Sequence, residues 1–399
     1  MTRSGMSAKR LSRLTAAMQA LVDSGETPGV VTLILRNGEE AHCDVLGTID
    51  GADAPMRRDA LWRLGSMTKV ITSIAALILM EEGKLRLSDR IDQWLPELQG
   101  QRVLQKPNGP LEDICAPVRP ISVEDLLTHR AGFASYALPQ GPAARLAQSL
   151  MAGSSMRPDI PVDEWLEQLA AIPLIHQPGE RMVMGFSSDV LAILVQRVAG
   201  MSFEAFLHER IFEPLGMMDT SFWAGQDKID RLGPAYSINW LTKKRLLQDD
   251  GPGGYFSRAP AHPSGGGGLI STADDFARLG TMLLNMGRLG GERVLSRKTV
   301  ELMTTDFLTP EQRSHPYFGY PYWRDRGFGL GLFVTDNIAA RAAPVSAGQY
   351  GWRGAFGTYW FNDPAERLVA VLMLPVSWPA VIPQPLADFE SLVYQAIDD

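Results

Sequence analysis

The sequence predicts a mixed α/β protein with an all-α part: an antiparallel sheet built from both chain ends and flanked by helices, around a helical insertion. Three observations carry this. A strand pair joined by a tight turn stands near the start, the middle of the chain reads as helical pieces, and strand-like runs return in the last hundred residues.

The elements follow in order. Within Met1–Gly25, Leu11, Leu14, Met18, Leu21 and Val22 share one face of an amphipathic first helix. Gly29–Arg36 is β-branched and apolar, and Asn37-Gly38 then signals a two-residue hairpin whose partner strand is Ala41–Gly47. From Ser66 to Glu82 the period becomes helical, with Val70, Ile74, Leu77 and Ile78 on the buried face and Gly83 as the stop. Residues from about Leu85 to Phe222 read as helices between Pro and Gly loops, among them Val123–Leu127, Val162–Ala171, Val190–Ala199 and Phe203–Ile211. Asp249–Gly268 shifts to Gly, Pro, Ser and Tyr and predicts a long loop. Ser271 or Thr272 caps a helix from Ala273, with Asp274 and Asp275 in its first turn. Phe328–Val334, Phe356–Asn362 and Leu368–Leu374 read as strands, and a last helix spans about Pro385 to Ile397.

Composition narrows the function. The 399 residues suit one large two-part unit, at roughly 100–200 residues per domain. Lys and Arg number 38 against 45 Asp and Glu, so the net charge of −7 argues against a nucleic-acid partner. Cys43 and Cys115 are the only cysteines, which excludes a disulfide scaffold and a thiolate-rich metal site. The six histidines have no zinc spacing, so neither metal nor cofactor is implied. The apolar stretch Leu14–Val22 is interrupted by Gln19 and followed by Asp23, unlike a secretory signal. Ala75–Met80 is far short of the roughly 20 residues of a bilayer span, so a soluble cytoplasmic protein without a membrane partner is expected.

The sharpest local feature is Ser66-Met67-Thr68-Lys69, the one Ser-x-x-Lys in the chain. A spacing of three puts the Ser66 hydroxyl and the Lys69 amine on the same side of one helical turn. A serine hydroxyl becomes a nucleophile when an adjacent base removes its proton, and a lysine is such a base when burial disfavours its charged form. At a helix start the Ser66 N–H is also an unsatisfied donor that can face an oxyanion. The ordinary alternative for this tetrad by itself is a capping serine followed by a surface lysine. No Gly-x-Ser-x-Gly elbow is present, which counts against an α/β-hydrolase triad.

Around that tetrad, Trp62-Arg63-Leu64-Gly65-Ser66-Met67-Thr68-Lys69, Glu82–Asp89, Leu126–Phe133, Gln177–Glu180, Phe212–Thr220 and Gly265–Thr272 together resemble serine β-lactamase-like hydrolases. The resemblance runs in the family's order from about residue 25 to the C-terminus, on the branch of class C β-lactamases and family VIII carboxylesterases. It implies the β-lactamase/transpeptidase-like fold. An α/β domain of residues 1–84 and 225–399 would pack on a mainly helical domain of residues 85–224, with the active site between them. Ser66 and Lys69 would be catalytic, and Trp352-Arg353-Gly354 fits the family's Trp-x-Gly element near a sheet edge. The Ala355 N–H would then be the second oxyanion donor beside that of Ser66. With no lysine in that element, the aromatic wall of Trp352 suits an apolar acyl group or ring, and Gly354 would line the substrate site beside it.

One position departs from the family. Counting back from Asp189-Val190-Leu191 puts methionine, Met184, where a tyrosine is expected, and methionine carries no proton. Phe186 does not substitute. Tyr136 matches a site-lining tyrosine of some relatives and offers a hydroxyl, with an ordinary loop tyrosine as the alternative. Tyr317, Tyr320, Tyr322 and Trp323 form an aromatic loop that either shapes the substrate pocket or simply packs, and His129 reads as a structural hydrogen-bonder.

The resemblance therefore implies a serine hydrolase whose partner is a small-molecule ester. It would cleave short-chain esters through an acyl-enzyme on Ser66, with β-lactam or amide hydrolysis as a weaker activity. Its rivals are a β-lactamase, D-aminopeptidase or acyltransferase on the same scaffold, or a weakened binding protein that Met184 has silenced.

Overall fold

A computed structural model describes residues 4–136, 140–151, 160–239, 241–242, 244–379 and 383–399. Helix α1 (Ala8–Asp23) buries Leu11, Leu14 and Met18 on one stripe, while Leu21 and Val22 pack at its margin. Strands β1 (Gly29–Arg36) and β2 (Glu39–Gly47) pair antiparallel across Asn37-Gly38, where Asn37 takes φ +56° and Gly38 φ +79°. Helix α2 (Thr68–Glu81) is buried almost all round, as expected of a helix at the centre of a large core. Farther on come α3 (Ser187–Ala199), ended by Gly200 in the left-handed region, and α4 (Ala273–Leu284), whose N-cap is Thr272 rather than Ser271. The chain closes with β3 (Arg326–Phe328), β4 (Phe333–Thr335), β5 (Tyr350–Arg353), β6 (Tyr359–Asp363), β7 (Leu368–Met373) and α5 (Gln384–Tyr394).

These strands form one seven-stranded antiparallel sheet in the order β3-β4-β5-β6-β7-β1-β2, so the first strand docks against the last. Strand β1 is covered on both faces, by α4 on one side and α1 on the other, which is why its side chains form an apolar run rather than an alternation. Successive side chains of β6 point to opposite faces. Trp360 meets Phe276 of α4 on one face, and Phe361 meets Phe389 and Tyr394 of α5 on the other.

Several expectations are refined. The run Phe328–Val334 is two short strands, because the chain turns at Gly329–Leu332. Trp352 lies on an interior strand, not at a sheet edge. The middle of the chain includes a small strand pair, Val103–Leu104 with Ile114–Cys115, among its helices. Asp249 ends a strand, Arg245–Asp249, before the predicted loop, which itself holds one turn of 3₁₀ helix at Tyr255–Ser257. Among the described residues no single helix is long and apolar enough to cross a membrane, and Ser187–Ala199 plus Phe203–Leu215, which reach that length together, are bent by 82°.

Candidate active site

Ser66 does not start the α-helix. It sits in the middle of a 3₁₀ turn, Gly65–Met67, that feeds directly into α2. The short strand Trp62–Arg63 delivers this turn by pairing with Ile270–Ser271. Arg63 anchors it from below: its guanidinium donates to Gly233 O at 2.8 Å and forms a buried ion pair with Asp249.

Lys69 is fully buried at the first turn of α2, and its Nζ donates to Ser66 Oγ at 3.0 Å and also to the Gly266 carbonyl. Loss of water around the ammonium lowers its pKa from 10.5 to about 8, against the opposing pull of the Asp189 carboxylate. The segment Ser264–Gly268 is held from behind. Asp189 accepts from Ser264 Oγ at 2.5 Å and from Gly266 N at 3.0 Å, while Thr72 Oγ1 donates to Gly265 O at 2.8 Å. A Cβ on Gly266 would lie 2.6 Å from Asp189 Oδ2, so only glycine lets the backbone come this close.

The Trp-x-Gly element meets the serine turn from the opposite side. Thr358 Oγ1 donates to Leu64 O at 3.0 Å, and Gly354 N donates to Thr358 O at 2.7 Å. A Cβ on Gly354 would stand 2.1 Å from Leu64 O, and one on Gly65 would stand 2.8 Å from Ala355 N. The backbones at 65–66 and 354–355 are therefore pressed together beside the serine hydroxyl.

A cavity of about 210 Å³ opens at this junction. Ser66, Lys69, Tyr136, Met184, Trp352, Gly354 and Ala355 all line it, so the structure brings every candidate site residue together. Burial beside Asp189 and Tyr317 pushes the Tyr136 phenol upward in pKa, so it stays protonated at neutral pH, and its ring packs on Phe186 at 4.9 Å. Met184 is 9 % exposed and presents a thioether to the same wall. Of the aromatic loop, Tyr317 and its neighbour Phe318 reach the cavity; Tyr322 and Trp323 are core residues and Tyr320 faces solvent. His129 is buried with its Nε2 at 3.3 Å from Ser188 Oγ, and it does not line the cavity.

Sequence reasoning missed Asp189 as part of this machinery, together with Arg353, Ser377, Trp378 and Leu386 in the cavity wall. For Asp189 a signal was present in the sequence, an acid immediately before the apolar run of α3, and four glycines in a row at 265–268 marked a close backbone approach elsewhere in the chain. For the others none was, because their approach depends on how β5 and α5 pack. Among the described residues no group of His, Cys, Asp and Glu is arranged to hold a metal ion.

The antiparallel sheet flanked by helices, with this cavity at its end, is the β-lactamase/transpeptidase-like fold of serine hydrolases. The chain matches the Beta-lactamase family over residues 14–377 and belongs to it. It is 39% identical over 363 residues to Protein Rv1367c of Mycobacterium tuberculosis, covering 90% of this chain and 88% of that one. It is 29% identical over 377 residues to Esterase EstB of Burkholderia gladioli, covering 91% and 89%. Among solved structures it superposes on EstCE1, a hydrolase with promiscuous acyltransferase activity, with a TM-score of 0.80, 26% identity and 98% of each chain covered.

Proposed function

We propose that the protein is a carboxylesterase that works through an acyl-enzyme on Ser66. The observation that carries this reading is the 3.0 Å contact between a buried Lys69 amine and the Ser66 hydroxyl, at the floor of a cavity with an aromatic wall. Neutral Lys69 takes the Ser66 proton as Oγ bonds to the ester carbonyl carbon, and the Ser66 and Ala355 N–H groups hold the oxyanion. Collapse of that intermediate breaks the bond to the leaving alkoxide, which takes the proton from Lys69. Water then repeats the sequence to release the acid and regenerate Ser66. Tyr136, Met184, Trp352 and Gly354 shape the substrate wall. The likeness to Esterase EstB supports ester cleavage; the likeness to EstCE1, a hydrolase with promiscuous acyltransferase activity, supports acyl transfer when an alcohol replaces the deacylating water.

A covalent fluorophosphonate adduct mapped by mass to Ser66, lost in Ser66→Ala, tests the nucleophile. Rates on p-nitrophenyl butyrate, nitrocefin and a D-amino-acid amide test the substrate class. Faster cleavage of nitrocefin than of the ester would make β-lactams the preferred substrates and overturn the carboxylesterase reading. Met184 favours the second reading, a binding protein with little turnover, and adduct formation without ester hydrolysis is its expected signature.

A further inference from the structure

The charge of the cavity is one-sided. No Asp or Glu is present in its described wall, although the chain carries 45 acidic against 38 basic side chains. Its two cationic residues are Lys69, engaged with Ser66 and Gly266, and Arg353. Arg353 ends β5, two residues before Ala355, and its guanidinium lies against the Tyr317 hydroxyl.

Behind Arg353 is a small corner that it shares with Arg326, Arg341 and Glu390. There Arg326 pairs with Asp325 at 2.9 Å, and Arg341 pairs with Asp325 at 3.4 Å and with Glu390. Glu390 also accepts from Gln349 at 2.7 Å and Tyr359 at 3.2 Å. Three guanidinium groups thus meet two carboxylates, and both carboxylates are committed to Arg326 and Arg341. Among the described residues no carboxylate lies within ion-pair distance of Arg353, so one positive charge of this corner is left without a carboxylate, on a residue that also lines the cavity. Partly buried charges are normally paired, and a guanidinium is suited to hold a carboxylate through two parallel hydrogen bonds.

We propose that Arg353 is a specificity-determining residue that binds a carboxylate on the substrate, so that the preferred substrates are esters bearing a second, free carboxylate. This rests on the ester-hydrolase reading of Ser66. It also revises the expectation of an apolar acyl group: the cation absent from the first position of the Trp-x-Gly element is supplied by its second.

The test compares length-matched pairs, with the charge on either arm of the ester. Monomethyl adipate is set against methyl heptanoate, and 4-(butanoyloxy)butanoate against pentyl butanoate. In at least one pair the charged ester is expected to have a kcat/KM about tenfold higher or more, the scale of one charge-assisted hydrogen bond. That ratio should fall about tenfold in Arg353→Gln and be partly kept in Arg353→Lys. A preference for the neutral ester in both pairs, or a preference unchanged in Arg353→Gln, overturns the proposal. Calorimetric titration of the same two ester pairs into Ser66→Ala reads the same contact without turnover. A charged ester binding about tenfold tighter in at least one pair supports the site even if no ester is hydrolysed, and equal binding in both pairs refutes it. Failure of the hydrolase reading appears separately, as absence of ester turnover and of a fluorophosphonate adduct on Ser66.

Discussion

Lys69 and Asp189 grip the two ends of one residue. Gly266 gives its N–H to Asp189 Oδ1 at 3.0 Å, and its carbonyl receives the Lys69 ammonium. The carboxylate is thereby linked to the candidate base without touching it, and its charge is the influence that raises the Lys69 pKa against burial.

Asp189→Asn keeps the shape and removes the charge. The Lys69 pKa should then fall further, moving the ascending limb of the kcat/KM–pH profile to lower pH. A limb that stays in place would show that Lys69 is not the group titrating in the rate.

The Lys69 value of about 8 sets the wild-type profile: activity rises with pH, is half-maximal near 8 and levels off about one unit higher, where the amine is free. Lys69→Arg, which stays charged, should lower kcat by about 10²–10⁴-fold. Stability carries a second signature. With a folded pKa below the ordinary 10.5, the folded state binds fewer protons than the unfolded chain between about pH 8 and 10.5. The burial cost is therefore present in full below pH 8 and fades as pH rises through that window. Relative to Lys69→Met, the wild type should gain about 3 kcal/mol from pH 7.5 to pH 10.5 in denaturant titrations.

Met184→Tyr restores a phenol to the wall beside Lys69. Ester hydrolysis should rise by about tenfold or more if a positioned proton donor is what the site lacks. A rate that does not rise would mean that the cavity already has its hydroxyl, with Tyr136 the first to replace by Phe.

Gly354→Ala places a methyl group 2.1 Å from Leu64 O and 2.2 Å from Thr358 Oγ1. Strand β5 must then move off the serine turn and carry the Ala355 amide with it. Loss of one oxyanion donor predicts a fall in kcat of about 10²–10³-fold. Circular dichroism should show a fold that is retained, so that the loss is assigned to geometry.

Much of this was legible because it is local. The hairpin at Asn37-Gly38 and the apolar face of α1 follow from turn chemistry and periodicity, and the structure holds both. The Ser66–Lys69 contact follows from a spacing of three residues on a helical turn. Family motifs then located Trp352, Gly354 and Ala355, some 290 residues away in the sequence, as lining the same cavity. Met184 was legible too, as a residue without a proton where one was expected.

The sequence by itself determined which groups are present and which neighbours along the chain can touch, since backbone geometry fixes contacts over one turn. Tertiary structure alone decided that Lys69 is dry, because its cover comes from Gly266, 197 residues on. It alone decided that Arg353 lines the cavity without an acid among the described residues, because Asp325 and Glu390 are taken by Arg326 and Arg341. Burial and charge pairing are properties of the packed whole, and no local pattern records them.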